Sequence, residues 1–215
     1  MAFGKNALAK LYKKRARHYD LSANLYYLVG FRELAFRRKA VRALRLKPGE
    51  TVVEIGCGTG LNFALLREKV GPEGRIIGVD LTPEMLAEAQ KRIRRNGWAN
   101  VFLVRSDAVA YTFPERTNGI ISTFAITLMP EYDRIIQKGA EALSSGSRFV
   151  VLDFKKSDKW PMWLIKLFVF ITKSYGVSLD QADRHPWESI EKHLTPVHFE
   201  ELYFGGAYIS VGEAP

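Results

Sequence analysis

Between residues 51 and 153 the chain alternates short apolar runs with longer amphipathic stretches, and this alternation restricts the fold more than any other feature. The apolar runs have the length of buried strands, and the stretches between them have helical spacing. Such alternation is typical of βαβ units, in which helices connect parallel strands of one sheet. The predicted strands are 51–55, 75–79, 101–105, 119–127 and 147–153, and the predicted helices between them are 61–70, 83–96 and 132–143.

The first 46 residues are predicted to form a basic helical segment, with helices at 6–28 and 32–46. Residues 1–50 carry a net charge of +10, whereas the whole chain carries +9. The second helix has an apolar stripe that contains Leu34, Val41 and Leu44. The charge suits contact with an anionic bilayer, where each basic residue contributes about 1 kcal/mol. A solvated helical face and a nucleic-acid contact are the alternatives.

Residues 47–215 are predicted to form the main domain, with an insertion at about 156–195. The insertion contains an apolar, tryptophan-bearing stretch at 160–175 that is too short to cross a bilayer. It is either an interfacial helix or a lid packed on the sheet. Beyond the insertion, "FEELYFGGAYISVGE" predicts two strands joined at Gly205 and Gly206, a C-terminal antiparallel hairpin. The single cysteine excludes a disulfide within the chain and favours a reducing, cytoplasmic setting.

A glycine-rich turn follows the first predicted strand in "VVEIGCGTGLNF". Its glycines are Gly56, Gly58 and Gly60, and the third comes one residue too early for the GxGxxG dinucleotide fingerprint. Taken alone, the turn is a weak signal, because a tight corner between a strand and a helix also uses glycines, which adopt positive φ without strain.

Acidic residues at the ends of three predicted strands favour a ligand site instead. Glu54 lies in the first strand, Asp80 follows the second and Asp107 follows the third. The carboxyl ends of parallel strands form the binding edge of such a sheet, where Asp80 can accept hydrogen bonds from ribose hydroxyls. Asp107 can accept a bond from an adenine amine. This negative edge suits a cationic ligand. It does not suit a pyrophosphate, which disfavours NAD as the ligand.

Together, "VVEIGCGTG", "IIGVDLTPEML", "SDA" and "RFVVLDF" resemble the motifs of class I S-adenosylmethionine-dependent methyltransferases. The resemblance covers roughly residues 50–155 and the final hairpin. It implies an α/β, Rossmann-like fold: a seven-stranded, mainly parallel sheet with helices on both faces and an antiparallel last strand. It also implies S-adenosyl-L-methionine as cofactor and S-adenosyl-L-homocysteine as product. No metal site is predicted.

The resemblance also implies roles for individual residues. The glycine loop lies under the methionine part of the cofactor, the acids bind its amino group, ribose and adenine, and small side chains after the fourth strand line the floor near the sulfonium. The loop glycines are Gly56, Gly58 and Gly60, and Glu54, Asp80 and Asp107 are the acids for the amino group, the ribose and the adenine, respectively. Leu81 and Met85 flank the adenine, and Ala108 lies with Asp107 at its edge. Thr123 and Ala125 form the floor.

The methyl acceptor is predicted from the two segments that differ most from the common pattern. "YDLSANLYYLVG" resembles the quinone and lipid branch of the family, in which such a segment folds over the cofactor, and most closely phospholipid and betaine-lipid N-methyltransferases. With the basic segment and the apolar insertion, it predicts N-methylation of a lipid amine headgroup by a protein held peripherally on the inner face of an anionic membrane. A quinone precursor or another hydrophobic small molecule is the alternative acceptor.

Two further functions receive less support from the sequence. An RNA methyltransferase would use the basic segment differently, and nucleic acid is not an expected partner. A non-catalytic binding module would have no need of three acids at cofactor positions. The candidates for contacting the acceptor or taking its proton are His18, Tyr19, Arg184 and His185, and Tyr19 is also expected to contact the cofactor.

Overall fold

The computed structural model describes residues 30–172 and 183–215. Within these residues seven strands form one sheet in the order β3-β2-β1-β4-β5-β7-β6. Strand β7 pairs antiparallel with both β5 and β6, and the pairs among β1 to β5 are parallel. The predicted sheet and its C-terminal hairpin are therefore confirmed. The strands are β1 Thr51–Ile55, β2 Arg75–Asp80, β3 Val101–Arg105, β4 Thr117–Thr123, β5 Leu143–Phe154, β6 Thr195–Leu202 and β7 Ala207–Glu213.

Helices cover both faces of the sheet. Those in the described residues are α1 Glu33–Ala43, α2 Phe63–Val70, α3 Pro83–Asn96, α4 Tyr132–Ala142, α5 Met162–Thr172 and α6 Pro186–His193. Helix α3 begins with Pro83 directly after Thr82, as the sequence predicts, because the fixed φ of proline suits the first helical position. None of the helices in the described part of the chain is long and apolar enough to cross a membrane.

The pleat of the central strands divides the core between the two faces. Val52 packs in one apolar cluster and its neighbour Val53 in the other, since successive strand residues point to opposite faces. The first cluster includes Phe63 of α2, and the second includes Tyr208 of β7. Gly78 allows α2 to approach β2, because a Cβ there would lie 2.7 Å from the Phe63 ring. This packing holds the carboxyl ends of β1 and β2 together.

Two predicted strand boundaries are wrong. Strand β4 ends at Thr123 rather than residue 127, because Phe124 has φ 53° and turns the chain into a 3₁₀ helix at Ile126–Leu128. Strand β5 begins at Leu143 rather than residue 147, so residues 144–146, which lie between the predicted helix and the predicted strand, belong to the strand. Gly146, with φ 73°, and a register shift in the pairing with β4 make that part of the strand irregular.

The predicted apolar stripe of α1 is also wrong in one member. Leu34 is 42% exposed, whereas Val41 and Leu44 are buried. The buried positions that precede Val41 in the helix are instead Ala40 and the charged pair Glu33 and Arg37. The helix ends at Ala43 rather than residue 46. The helix predicted at 6–28 lies outside the described residues.

Candidate cofactor and acceptor site

The glycine loop after β1 is held against the end of β2. The backbone N–H groups of Gly56 and Cys57 both donate to the Val79 carbonyl, at 2.8 and 3.1 Å. Gly56 has φ 68°, and a Cβ on it would lie 2.5 Å from the Cβ of Ala125. Gly58 also has positive φ, but a Cβ there would meet nothing within 4 Å. The loop is therefore a close-packed corner at Gly56 and an open wall at Gly58.

Asp80 connects this loop to the one that follows β2. Its Oδ2 accepts a hydrogen bond from the Gly58 N–H at 2.9 Å, and its Oδ1 accepts one from the Thr82 N–H at 2.8 Å. Burial raises the pKa of the Asp80 carboxyl, and these backbone donors oppose the rise. The carboxylate thus fixes two loops while its remaining lone pairs stay suited to hydroxyl donors.

A cavity opens at the carboxyl ends of β1 to β4, bordered by these two loops. Its lining joins segments that are distant in the sequence. It combines an acidic rim with apolar walls, of which Met85 is fully buried and Leu81 is 40% exposed. The predicted site residues that line it are Gly56, Gly58, Asp80, Leu81, Met85, Asp107, Ala108, Thr123 and Ala125.

The strand order places four predicted side chains in one row. Asp107 follows β3, Asp80 ends β2, Glu54 lies in β1 and Thr123 ends β4, and these strands are consecutive in the sheet. Adjacent strands are about 4.8 Å apart, so the row extends over about 15 Å. That length suits an elongated ligand lying across the strand ends, with adenine at one end and an amino acid at the other.

Glu54 is fully buried behind the cavity wall. Its Oε1 accepts a hydrogen bond from Asn62 Nδ2 at 2.6 Å, whereas its Oε2 has no hydrogen-bond partner in the described structure. Burial raises the pKa of Glu54 to about 7, although the nearby positive charge of Arg37 lowers it. A buried carboxylate oxygen without a donor suits an ammonium group. The residues present therefore fit S-adenosylmethionine, whose methionyl end carries one.

Arg37 brings a positive charge to the same end of the cavity. Its Nη1 donates to Thr123 Oγ1 at 2.6 Å and to Asn62 Oδ1 at 3.2 Å, and its Nε donates to Glu33 at 2.8 Å. The guanidinium also lies over the Phe124 ring, 5.1 Å from its centroid. The sequence interpretation missed Arg37 among the thirteen Lys and Arg residues of positions 1–50. The available signal was its position four residues before Val41 and seven before Leu44, which places Arg37 on the same helix face as these two apolar residues.

A cluster of aromatic rings continues the wall beyond Phe124. Phe124 lines the cavity, and its ring lies 5.7 Å from that of Phe31 and 4.9 Å from that of Phe154. Phe31 in turn contacts Tyr203 at 5.1 Å, and Tyr203 contacts Trp160 at 5.8 Å, all between ring centroids. A continuous cluster of aromatic rings therefore connects Phe124 in the cavity with Trp160, two residues before α5, and Phe31 within this cluster is buried.

Of the predicted catalytic and acceptor-contacting residues, the structure describes Arg184 and His185, and neither is among the described residues that line the cavity. His185 bonds to Glu188 through Nδ1 at 2.9 Å and stacks on Trp187, and it is not among the described lining residues. Arg184 donates from Nη1 to the Thr127 carbonyl at 2.7 Å, one residue before the lining residue Leu128. His18 and Tyr19 lie outside the described residues. Gly60 is buried under Phe63 and does not line the cavity.

Several proteins of known activity resemble this chain in sequence. A ubiquinone/menaquinone biosynthesis C-methyltransferase from Xanthomonas oryzae is 28% identical, and the match covers 86% of this chain and 76% of that protein. A demethylmenaquinone methyltransferase from Thermus thermophilus is also 28% identical, over 95% of this chain and 100% of that protein. An arsenite methyltransferase from Halobacterium salinarum is 33% identical over 54% of this chain, but the match spans only 30% of its length.

Solved methyltransferase structures share the fold. A SAM-dependent methyltransferase from Aquifex aeolicus has a TM-score of 0.60 at 18% identity, covering 83% of this chain and 89% of that one. A phosphoethanolamine N-methyltransferase from Haemonchus contortus, solved with S-adenosyl-L-methionine, has a TM-score of 0.56 at 24% identity. That match covers 72% of this chain and 35% of the nematode chain, and at such identity it establishes the fold alone.

The family comparison covers almost the entire chain. The model of the ubiE/COQ5 methyltransferase family matches residues 1–200, which include the basic segment, the glycine loop and the insertion. The match agrees with the sheet order, with the acidic row along the strand ends and with the methyltransferases named above. The chain therefore belongs to the ubiE/COQ5 methyltransferase family and is an S-adenosylmethionine-dependent methyltransferase.

Proposed function

We propose that this enzyme methylates a hydrophobic aromatic acceptor of the quinone-precursor class. The observation that carries the proposal is the aromatic cluster whose member Phe124 lines the cofactor cavity and whose further rings, Phe31 and Tyr203, pack behind it. A flat, apolar ring packs well against an aromatic side chain such as Phe124. The relatives named as quinone methyltransferases, which match along most of this chain, support the same acceptor class.

The proposed cofactor contacts follow the row of side chains along the strand ends. Asp80 accepts hydrogen bonds from the ribose hydroxyls, Leu81 and Met85 enclose the adenine, and Asp107 accepts a bond from its amine. Glu54 faces the ammonium group of the methionyl end. Met85 and Glu54 are buried. They therefore keep water from the adenine and from the ammonium group, respectively, which strengthens the electrostatic contacts at these groups.

S-adenosylmethionine, when bound, supplies a methyl group that is already activated by its positive sulfur. The chain therefore has to align the acceptor atom with that methyl group and exclude water, rather than activate the donor. Thr123, Phe124 and Ala125 form the wall at the end of β4 where the two reactants meet in this proposal. Phe124 has a positive φ, which is strained for a residue with a side chain, and its side chain lies in this wall.

We also propose that the acceptor reaches the cavity from a membrane surface. Helix α5 exposes large apolar side chains at positions spaced by one, four and three residues, with Lys166 exposed among them. Opposite them, Ile165 is buried. Exposed apolar and basic side chains on one helix are typical of interfacial helices. The exposed apolar residues of α5 are Met162, Trp163, Leu167 and Phe170.

The acceptor is tested by incubating the protein with labelled S-adenosylmethionine and a total lipid extract that contains quinone precursors. We expect label in the quinone fraction, with a mass gain of one methylene per transfer. Label in aminophospholipids alone would contradict the quinone proposal and support the lipid amine predicted from the sequence. Label in neither fraction would contradict both acceptors, while binding of S-adenosylhomocysteine would still report an intact cofactor site.

Membrane contact is tested by sedimentation with vesicles. We expect binding to vesicles that contain anionic lipid, with release at high salt, because screening weakens the charge contribution. Replacement of Trp163 and Phe170 by Ser should reduce binding, whereas replacement of Phe102, an exposed aromatic residue on edge strand β3, should not. Equal loss in both variants would contradict a role for α5.

A further inference from the structure

Arg37 is the one Lys or Arg side chain among the described residues that line the cavity. Only 6% of its surface is exposed, although the other basic residues described between positions 32 and 47 are exposed. Burial of a positive charge is costly unless a negative charge compensates it, and Glu33 provides that negative charge. Helix packing alone does not require the pair, because an apolar residue would fill the same place.

The position of Arg37 along the cavity indicates what it binds. It bonds to Thr123 at the end of β4, three strands from Asp107, and so lies at the methionyl end of the acidic row. Asn62 connects it to Glu54: the Asn62 amide donates from Nδ2 to Glu54 Oε1 and accepts at Oδ1 from Arg37 Nη1. One amide thus holds an anion and a cation beside each other at one end of the cavity.

An α-amino acid presents the complementary pair of charges. Its ammonium group suits the carboxylate of Glu54, and its carboxylate suits the positive charge of a guanidinium that can donate hydrogen bonds to it. We infer that Arg37 is a specificity-determining residue that binds the carboxylate of the methionyl part of S-adenosylmethionine and S-adenosylhomocysteine. Helix α1 then contributes directly to cofactor binding, in addition to the loops at the strand ends. This role holds for any methyl acceptor.

The contacts of Arg37 are preorganised for this role. Bonds to Glu33, Asn62 and Thr123 hold the guanidinium in one orientation, and the ring of Phe124 supports one of its faces. A side chain that is already ordered loses little conformational freedom when the ligand arrives. The inference also implies that the site discriminates against nucleosides that lack the amino-acid carboxylate.

The test compares two ligands by calorimetry: S-adenosylhomocysteine and its decarboxylated analogue, which keeps the amine and lacks only the carboxylate. The wild-type protein should bind S-adenosylhomocysteine about 10- to 100-fold more tightly than the analogue, as expected for a charge-assisted hydrogen bond in a buried site. Arg37→Met should weaken the binding of S-adenosylhomocysteine by a similar factor and leave that of the analogue unchanged within about twofold. Arg38→Met, which changes the neighbouring exposed arginine, should affect neither ligand.

Two results would overturn the inference. Equal affinity of the wild-type protein for both ligands would show that the carboxylate is not recognised at all. Equal weakening of both ligands by Arg37→Met would show that Arg37 only holds Asn62 and Thr123 in place. If the single variant does not fold, the double variant Glu33→Gln/Arg37→Met removes both members of the buried pair and should give the same loss of ligand discrimination. Arg37→Lys, which keeps the charge without the guanidinium, should retain part of it.

Discussion

The Gly58 N–H donates to Asp80 Oδ2 at 2.9 Å, so the carboxylate predicted to bind the ribose also fixes the glycine loop. Because the other oxygen of Asp80 holds the next loop through Thr82, one side chain shapes two borders of the cavity. Removal of Asp80 therefore affects the ligand contact and the loop together.

Asp80→Ala should weaken the binding of S-adenosylhomocysteine by at least about tenfold, because the charge-assisted bonds to the ribose and the loop are both lost. Calorimetric titration measures the affinity. Asp158→Ala is the matched control, since the side chain of Asp158 is 87% exposed. Unchanged affinity in Asp80→Ala would place the cofactor elsewhere.

The glycines of the loop should differ in their tolerance of a methyl group. Gly56→Ala should lower the free energy of unfolding by more than about 2 kcal/mol, because the left-handed conformation is strained for alanine and the new Cβ would meet Ala125. Gly58→Ala should cost only the conformational strain of about 1 kcal/mol, because the space there is open. Urea denaturation measures both values.

A second substitution separates the two contributions at Gly56. Ala125→Gly removes the atom that lies 2.5 Å from the new Cβ, so the double variant Gly56→Ala/Ala125→Gly should recover part of the lost stability. No recovery would mean that strain at residue 56, rather than the clash, accounts for the loss.

Ligand binding should depend on pH through Glu54. Burial raises the pKa of Glu54 to about 7, so below this pH the free protein holds a proton that an ammonium ligand must displace. The affinity for S-adenosylhomocysteine should then fall by up to about tenfold per pH unit below pH 7 and stay level just above it. Calorimetry in buffers of different ionisation enthalpy should detect the released proton. A profile identical to that of Glu54→Gln would contradict this assignment.

Ionisation of Glu54 should have the opposite effect on the stability of the ligand-free protein: it favours ligand binding but lowers the free energy of unfolding. The folded-state pKa of Glu54 is about 7 and its ordinary value is 4.5, so stability is full below about pH 4.5 and falls as the pH rises to 7. Glu54→Gln should remove this contribution and raise the free energy of unfolding at pH 8 by about 1–3 kcal/mol. The difference between the two proteins isolates Glu54, because Asp80 and Asp153, whose pKa values are also raised, are common to both. A constant difference between pH 4.5 and 8 would contradict the prediction.

Local patterns were sufficient to predict the sheet and most of one wall of the cavity. The periodic spacing of apolar residues that distinguishes strands from helices is a property of neighbouring residues. Parallel strands necessarily bring their carboxyl ends to one edge of the sheet. Asp80 and Asp107 could therefore be assigned to one site before any contact was known, and both line the cavity. Their binding roles stay predictions. The lipid amine acceptor is not confirmed, because the relatives that match along most of the chain are named as quinone methyltransferases.

Only the tertiary structure decided which polar and aromatic side chains meet at the methionyl end. Arg37 bonds to Thr123 across 86 positions of sequence, and Phe31 packs on Tyr203 across an even longer separation. The turn at Phe124 likewise depends on β5, whose Leu152 carbonyl accepts its N–H at 2.7 Å. The sequence by itself determined the order of strands and helices and the acids at their ends, because these follow from local periodicity. Long-range packing decided the rest, because burial of Arg37 depends on partners that no local pattern specifies.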